Sequence, residues 1–355
     1  MWYAGVGWDG GAYELAVLDP AGAHVVAPLR LETVGVRDVV ARLLRLAERE
    51  PLMCVIDNTN GVVDGHLTAA GLDVYRADGD VAPPRRAFGS LDPVVLAERG
   101  RTRGSSLTRI APDSGTLTGL DRRIEDDLDS AALVEAEQVA SGRCLAHGRR
   151  VRPKVALTFD DGPDPDHTPR LLDLLRHYHV PATFFCLGLH AAAHPHVVAR
   201  IAEEGHSVGN HTWSHPYLPD LTRQEVLAQV DRTAEVLAGI TGEVPTLFRP
   251  PFGGRNADVL TWLAEHGQTT VLWDVEAADW ALPGASAIAH QVIGDTDFGS
   301  VVLLHDGGGD RSQTIEAIPL ILETLMVSGC RFVPVEDLID ADEQKERVAS
   351  SWTSA

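Results

Sequence analysis

Two adjacent carboxylates, Asp160 and Asp161, end an apolar run in the stretch ALTFDDGPDPDHTP, which spans residues 156–169. Charged groups at the end of a buried strand are costly unless a partner holds their charge. A metal ion would take one of them as a ligand and leave the other as a general base. The alternative is structural, since aspartates before a Gly-Pro turn commonly cap a helix or form an Asx turn.

A second set of candidate ligands lies downstream, in the stretch GNHTWSHP. His211 and His215 are four residues apart, so on a helical turn both rings would face one side. Imidazole suits Zn²⁺ and its neighbours, although such a pair also fits ordinary surface or core histidines. The pair lacks the glutamate of HExxH helices, so Asp160-Asp161 is the candidate source of a base. Neighbouring side chains on a strand point to opposite sides, which lets one carboxylate bind metal and the other face water.

The C-terminal part alternates strand-like and helical patterns, which predicts a parallel sheet. Two helix starts are indicated, at Thr168-Pro169 and at Thr222, where Glu225 completes a capping-box spacing. Apolar runs of strand length occur at 155–159, 182–187, 206–209, 246–249, 269–273, 300–304 and 331–335. This count of strands in so short a segment favours a small or incomplete βα barrel.

Polar clusters directly follow the predicted strands of this part. They are Asp160-Asp161, GNHTWSHP at 209–216, FRPPFG at 248–253, WDVEAADW at 273–280 and LLHDGG at 303–308. In a βα barrel the loops after the strands all open on one face, where active sites are built. We therefore expect the clusters to form a single site.

The segments TFDDGP, HTWSH, RPPFG, DW and LLHD, in this order, resemble the five motifs of the polysaccharide deacetylases. These are the NodB-homology domains of carbohydrate esterase family 4, and the likeness covers roughly residues 150–340. The resemblance implies a distorted seven- to eight-stranded βα barrel and a hydrolase that removes N-acyl groups with one divalent metal. We expect Zn²⁺, with Co, Mn, Ni or Fe as alternatives. A glutamate, Glu276, stands where the fourth motif often begins with aspartate.

The resemblance also implies a role for each motif residue. Asp161, His211 and His215 would be the metal ligands. Asp160 would be the general base, oriented by Arg249. His305 would be the general acid, paired with Asp279. The backbone N–H of Phe252 would stabilise the oxyanion, and the substrate-binding set would be Phe252, Trp280, Leu303, Pro250 and Gly253.

The first part of the chain reads as a smaller α/β domain. Strand-like runs at 2–6, 13–18 and 24–31 precede a helix at 36–49, a strand at 53–57, a helix at 60–71 and a strand at 73–77. This order resembles the ribonuclease H-like nuclease domain of insertion-sequence transposases with an Asp-Glu-Asp-Asp site. Asp9, Asp57 and Asp92 would match three of its acids, but Gly89 stands in the place of another. We therefore expect a catalytically degenerate module.

The predicted organisation has four parts. They are a ribonuclease H-like domain at 1–120, an acidic helix and linker at 121–150, the deacetylase-like barrel at 151–340 and a flexible tail at 341–355.

Composition restricts the partners and the compartment. The 355-residue chain has a formal net charge of −21, which disfavours binding to nucleic acid or to anionic membranes. Its four cysteines form no CxxC pair, and the first residues show no export signal, so we expect a cytoplasmic protein. No apolar run approaches the length of a membrane helix. The oligomeric state is left open, and a homo-oligomer is compatible with the sequence.

These features lead us to expect an N-acetylated amino sugar or another small N-acyl metabolite as the substrate. One alternative is deacetylation of an oligo- or polysaccharide of the chitin or peptidoglycan type. Alternatives of another class are a non-haem iron oxygenase, which also uses two histidines and a carboxylate, and a non-catalytic binding protein with a nucleic-acid-related N-terminal domain.

Overall fold

The computed structural model describes residues 1–32, 35–77, 89–110 and 116–339. The predicted tail at 341–355 lies outside these residues. Two sheets organise the chain, and we call the parts that they define the six-stranded unit and the half-barrel unit. Among the described residues, no helix has the length and apolar character needed to cross a membrane.

The six-stranded unit alternates strands and helices after an initial run of three strands. Its strands are β1 (Trp2–Asp9), β2 (Ala12–Leu18), β3 (His24–Glu32), β4 (Leu52–Asp57), β5 (Asp73–Ala77) and β6 (Thr108–Ile110). Its helices are α1 (Val36–Ala47), α2 (Gly61–Ala69) and α3 (Pro93–Arg103). The strand order is β3-β2-β1-β4-β5-β6. β1 pairs antiparallel with β2 and parallel with β4, so the predicted elements assemble around a mixed sheet.

A long helix, α4 (Thr116–Ala140), connects the two units. It packs along the half-barrel unit, where Glu135 forms an ion pair with Arg255 at 2.6 Å and Asp127 accepts a hydrogen bond from the Tyr217 hydroxyl. The acidic helix predicted within residues 121–150 therefore packs against the half-barrel unit.

The half-barrel unit contains the remaining elements. Its strands are β7 (Cys144–Leu145), β8 (Lys154–Asp160), β9 (Thr183–Cys186), β10 (Ser207–Asn210), β11 (Leu247–Phe248), β12 (Thr269–Val271), β13 (Val275–Glu276), β14 (Val301–His305) and β15 (Arg331–Phe332). Its helices are α5 (His167–Tyr178), α6 (Gly188–Ala193), α7 (Pro195–Glu203), α8 (Arg223–Thr241), α9 (Ala257–Glu265), α10 (Ala285–Asp295) and α11 (Ser312–Val327).

The sheet of this unit is parallel and curled, with the order β13-β14-β8-β9-β10-β11-β12-β7 and with β15 paired to β8. β13 and β7 are the two ends of the order, so the predicted barrel is a half-barrel. Every predicted strand run contains a strand. The capping box at Thr222 and Glu225 is confirmed. The predicted helix start at Thr168-Pro169 is wrong, because α5 begins at His167 with Asp166 as its N-cap residue.

The two units share part of one hydrophobic core. Leu189 and Trp213 belong to the half-barrel unit, yet they are buried in the same cluster as Trp8, Leu15 and Ile56 of the six-stranded unit. Burial of such side chains stabilises by roughly 1.5–3 kcal/mol each. The contact therefore holds the six-stranded unit against the loop that carries His211 and His215.

Candidate active site

Three side chains converge at the carboxyl ends of β8 and β10. Oδ1 of Asp161 lies 3.5 Å from Nε2 of His211 and 3.2 Å from Nε2 of His215. All three residues are buried, and their ligand atoms lie within 4.8 Å of one another. Among the described residues, this is the one group of three acidic, histidine or cysteine side chains whose ligand atoms are close enough to hold a metal ion.

Backbone turns, rather than a helix or a strand, bring these side chains together. β8 ends at Asp160, and Asp161 turns away with a left-handed φ of 72°. Thr212 and His215 adopt φ values of 71° and 59°, so no helical turn links the histidines. Both of our geometric expectations, alternation along a strand and a shared helical face, were wrong. Left-handed backbone is costly for residues with a Cβ, and it is concentrated here at the site.

The residues present fit a divalent metal ion. Nδ1 of His211 lies 2.8 Å from the carbonyl oxygen of Arg249, which leaves the Nε2 lone pair directed at Asp161. Burial lowers the pKa of His215 to about 3, so its ring is neutral and able to act as a ligand. Apart from the two imidazoles, Oδ1 of Asp161 has no hydrogen-bond partner among the described residues. A buried carboxylate oxygen facing two imidazole nitrogens matches the donor set of zinc enzymes.

Asp160 is directed to a different partner. Its Oδ1 accepts a hydrogen bond of 2.8 Å from Nη1 of Arg249, and its Oδ2 lies 3.7 Å from Nε2 of His211. Arg249 is fully buried, and its other hydrogen bonds go to Thr158 and to the carbonyl oxygens of Val271 and Leu272. The guanidinium therefore orients the Asp160 carboxylate beside the candidate metal site.

His305 lies at the end of β14 with a buried carboxylate behind it. Nδ1 of His305 is 2.7 Å from Oδ1 of Asp279, whose Oδ2 accepts hydrogen bonds from the His305 backbone N–H and from the hydroxyl of Thr314. Burial alone would lower the pKa of His305, but Asp279 outweighs it and raises this pKa to about 9. The His305 ring is thus protonated at neutral pH, and this imidazolium can act as an acid.

Among the predicted substrate-binding residues, Phe252 contacts one of the histidines. The ring of Phe252 packs 4.5 Å from that of His215, and Phe252 has a φ of 59°. Trp280 is 45% exposed, and its indole N–H donates to Glu276. Leu303 is buried on β14, and Pro250 and Gly253 flank Phe252 in the turn after β11.

Several residues at the site carried no motif that marked them in advance. Thr158 and Thr314 complete the hydrogen bonds of Arg249 and Asp279, and a lone threonine has no diagnostic spacing. Glu276 was noted at the start of the fourth motif, but its hydrogen bonds from the indoles of Trp273 and Trp280 were not expected, because only the folded chain brings these side chains together. A Cβ on Gly61 of α2 would lie 2.1 Å from the carbonyl oxygen of His215.

The acids of the six-stranded unit have protein partners. Asp57 is buried and accepts hydrogen bonds from the side chains of Thr59 and Asn60 and the backbone N–H groups of Thr59 and Leu91. Asp9 pairs with Arg30 at 3.2 Å, and Asp92 caps α3 through the N–H of Val94. These contacts are of the kind that structural carboxylates make.

Comparison with known proteins places this centre in a family. The family model "Polysaccharide deacetylase" matches residues 147–271. A peptidoglycan-N-acetylglucosamine deacetylase from Bacillus cereus is 42% identical over 187 residues, which are 52% of this chain and 87% of that protein. The chain belongs to the polysaccharide deacetylase family. It is a metal-dependent N-deacetylase, a hydrolase that acts on amide C–N bonds.

Two further relatives extend the comparison of this deacetylase. A chitooligosaccharide deacetylase from Rhizobium leguminosarum bv. trifolii is 37% identical and covers 49% of this chain and 86% of its own length. One solved structure is that of the Bc1960 peptidoglycan N-acetylglucosamine deacetylase in complex with an N-hydroxybenzamide compound. Its sequence is 38% identical to this chain, and its fold superposes with a TM-score of 0.55. The match covers 57% of this chain and 94% of that one. The named substrates of these relatives are saccharides, which favours our alternative over a small N-acyl metabolite.

Proposed function

We propose that this deacetylase removes N-acetyl groups from N-acetylglucosamine units of an oligo- or polysaccharide of the chitin or peptidoglycan type. The observation that carries the proposal is the arrangement of two pairs, the buried Asp160–Arg249 and the part-buried Asp279–His305, around the triad of Asp161 and the two histidines. An amide hydrolase needs this combination of a base, an acid and an electrophile.

The chemistry follows from what each residue can hold. When bound by Asp161, His211 and His215, a divalent metal such as Zn²⁺ supplies Lewis-acid polarisation and makes water more acidic. Asp160 accepts a proton from the attacking water, and Arg249 keeps its carboxylate aimed at that water. His305 donates its proton to the departing amine while Asp279 stabilises the imidazolium. The N–H of Phe252 is the candidate donor to the developing oxyanion.

The test combines metal analysis with a direct assay of acetate release. The protein is expected to bind one Zn²⁺ per chain. The zinc-loaded protein is expected to release acetate from N-acetylglucosamine oligomers. Co, Mn, Ni and Fe are compared in the same assay. Failure of the loaded protein to release acetate from chitin oligomers or from peptidoglycan fragments would refute the proposal. Turnover that required O₂ and a co-substrate would favour the oxygenase.

We further propose that the six-stranded unit has a ribonuclease H-like fold without nuclease activity. The order β3-β2-β1-β4-β5, with β1 antiparallel to β2 and parallel to β4 and with helices after β3 and β4, supports this proposal. Asp57 and Asp92 hold backbone groups in place. Gly89 faces Asp9 without a carboxylate of its own. Cleavage of DNA or RNA with Mg²⁺ or Mn²⁺ that is lost in Asp9→Ala would contradict the proposal.

A further inference from the structure

The loops at the carboxyl ends of the half-barrel strands form the mouth of the active site, and the strand order gives their order around it. Gly61 and Gly65 lie one turn apart on α2, on the same helical face. A Cβ on Gly61 would lie 2.1 Å from the carbonyl oxygen of His215, and a Cβ on Gly65 would lie 3.0 Å from that of Gly308. α2 therefore runs from the loop after β10 to the loop after β14.

The start of α1 covers the loops between those two. Arg37 forms ion pairs with Asp164, at 2.8 Å, and with Asp166, both in the loop after β8. A Cβ on Gly35 would lie 3.1 Å from Nε2 of His194, beyond β9. The six-stranded unit thus contacts the rim from β14 through β8 and β9 to β10.

Packing fixes this cover in place. Trp213, which lies between the two histidine ligands, is fully buried in the core of the six-stranded unit, and Leu189 joins it there. The glycines allow backbone-to-backbone approach, which a larger residue would prevent. The six-stranded unit therefore forms a wall of the site, and buried side chains of a shared hydrophobic core hold this wall in place.

The loop after β13 presents exposed apolar side chains, Trp280 and Leu282, which are 45% and 40% exposed. Phe252, which is 38% exposed, lies instead beside α2, because a Cβ on Gly61 would be 3.2 Å from its Cζ atom. Half-exposed aromatic rings beside an active site offer an apolar face to a ligand such as a sugar ring. This side of the mouth, at the loop after β13, is exposed to solvent.

We propose that α2 closes one end of the substrate groove, so that a saccharide chain extends from the reacting unit in one direction only, across Trp280. The enzyme then deacetylates a terminal unit and not internal ones. This inference rests on the proposed function and adds a position along the chain to it. The six-stranded unit is, in this role, a specificity-determining wall.

The test maps the position of the lost acetyl group. The zinc-loaded full-length protein is incubated with the hexamer of N-acetylglucosamine, labelled with ¹⁸O at its reducing end, and singly deacetylated products are sequenced by tandem mass spectrometry. We expect one terminal unit to lose acetyl at least tenfold faster than any internal unit. Comparable rates at internal units overturn this inference alone. Absence of acetate release from every saccharide overturns the proposed function and this inference with it.

Two matched arginine variants on α1 test whether the wall sets the pattern. Arg37→Glu replaces the ion pairs to the loop after β8 with repulsion from Asp164 and Asp166, so the start of α1 is displaced from that loop and internal products from the hexamer are expected to increase several-fold. Arg42→Glu, at an exposed position on the same helix, is expected to keep the wild-type pattern. Circular dichroism checks that both variants are folded. Identical product patterns for the two variants would overturn the proposal.

Discussion

Asp160 and Asp161 differ in what surrounds their carboxylates. Asp161 faces the Nε2 atoms of His211 and His215, whereas Asp160 accepts a hydrogen bond from Arg249. The change in backbone direction at Asp161 separates them, because its φ of 72° ends the strand between the two side chains. The two adjacent aspartates therefore have different surroundings, which fit the roles that we propose for them, a metal ligand and a base.

Replacing the base leaves the ligands intact. Asp160→Asn is expected to lower kcat by about 100- to 10,000-fold, since amides do not accept the proton of water at neutral pH. Its zinc content, measured by mass spectrometry, should remain one per chain. His215→Ala provides the contrast, because it removes a ligand and is expected to lose the metal together with activity. A fully active Asp160→Asn protein would refute the assignment of the base.

We expect the alkaline limit of activity to depend on His305. If this residue is the general acid, as we propose, its protonated form is the active one, and its pKa is raised to about 9, so activity is expected to fall as the pH rises through this range. Asp279→Asn removes the charge that raises the pKa, and the alkaline limb of kcat/KM should move to lower pH. Glu316→Gln, exposed on α11, serves as the control with an unchanged profile. An unshifted limb in Asp279→Asn would mean that another group sets it.

At the scale of elements, Glu276 at the end of β13 contacts two tryptophans, one before this strand and one after it. Glu276 accepts hydrogen bonds from Trp273 at 3.1 Å and from Trp280 at 3.3 Å. We expect Glu276→Ala to raise KM for oligosaccharides several-fold with little change in kcat, because the indole of Trp280 loses its fixed position. Glu276→Gln keeps an acceptor and should restore most of the affinity. An effect on kcat alone would contradict this role.

The surroundings of a glycine decide whether a Gly→Ala replacement raises or lowers the free energy of unfolding. Gly61→Ala, at the start of α2, would place a Cβ 2.1 Å from a carbonyl oxygen and is expected to destabilise by about 1–3 kcal/mol. Gly239→Ala, on α8, meets no atom within 4 Å and is expected to stabilise by about 0.4–1 kcal/mol. Thermal unfolding of both variants measures the difference. A stabilised Gly61→Ala protein would argue against the close contact between α2 and His215.

At the scale of the whole molecule, the shared core links metal binding to the stability of both units. Trp213 lies between the ligands and inside the core of the six-stranded unit. We expect one cooperative unfolding transition in calorimetry, and Zn²⁺ at 100 times its Kd should stabilise it by about 2.7 kcal/mol. Chelation should lower the single Tm. Two separate transitions, of which zinc moves only one, would show that the units are not coupled.

The sequence by itself determined the elements and the chemistry of the site. Apolar runs located seven of the nine half-barrel strands that the structure describes, since burial on both faces of a parallel sheet leaves a continuous apolar pattern, but they missed β7 and β13. The capping box at Thr222 and Glu225 marked the start of α8 because its signal is local. The five motif segments that contain Asp160, Asp161, His211, His215 and His305 indicated an amide hydrolase through their resemblance to the polysaccharide deacetylases.

Only the tertiary structure decided how those residues are aimed and what covers them. The left-handed turns at Asp161 and His215 replace the expected strand and helix geometry, because surrounding contacts stabilise backbone that local propensity disfavours. The partners of Arg249 and Asp279 come from strands and helices far apart in sequence. The contact of Gly61 with His215 joins residues that are 154 positions apart. No local pattern encodes such pairs, since each depends on the summed packing of both units.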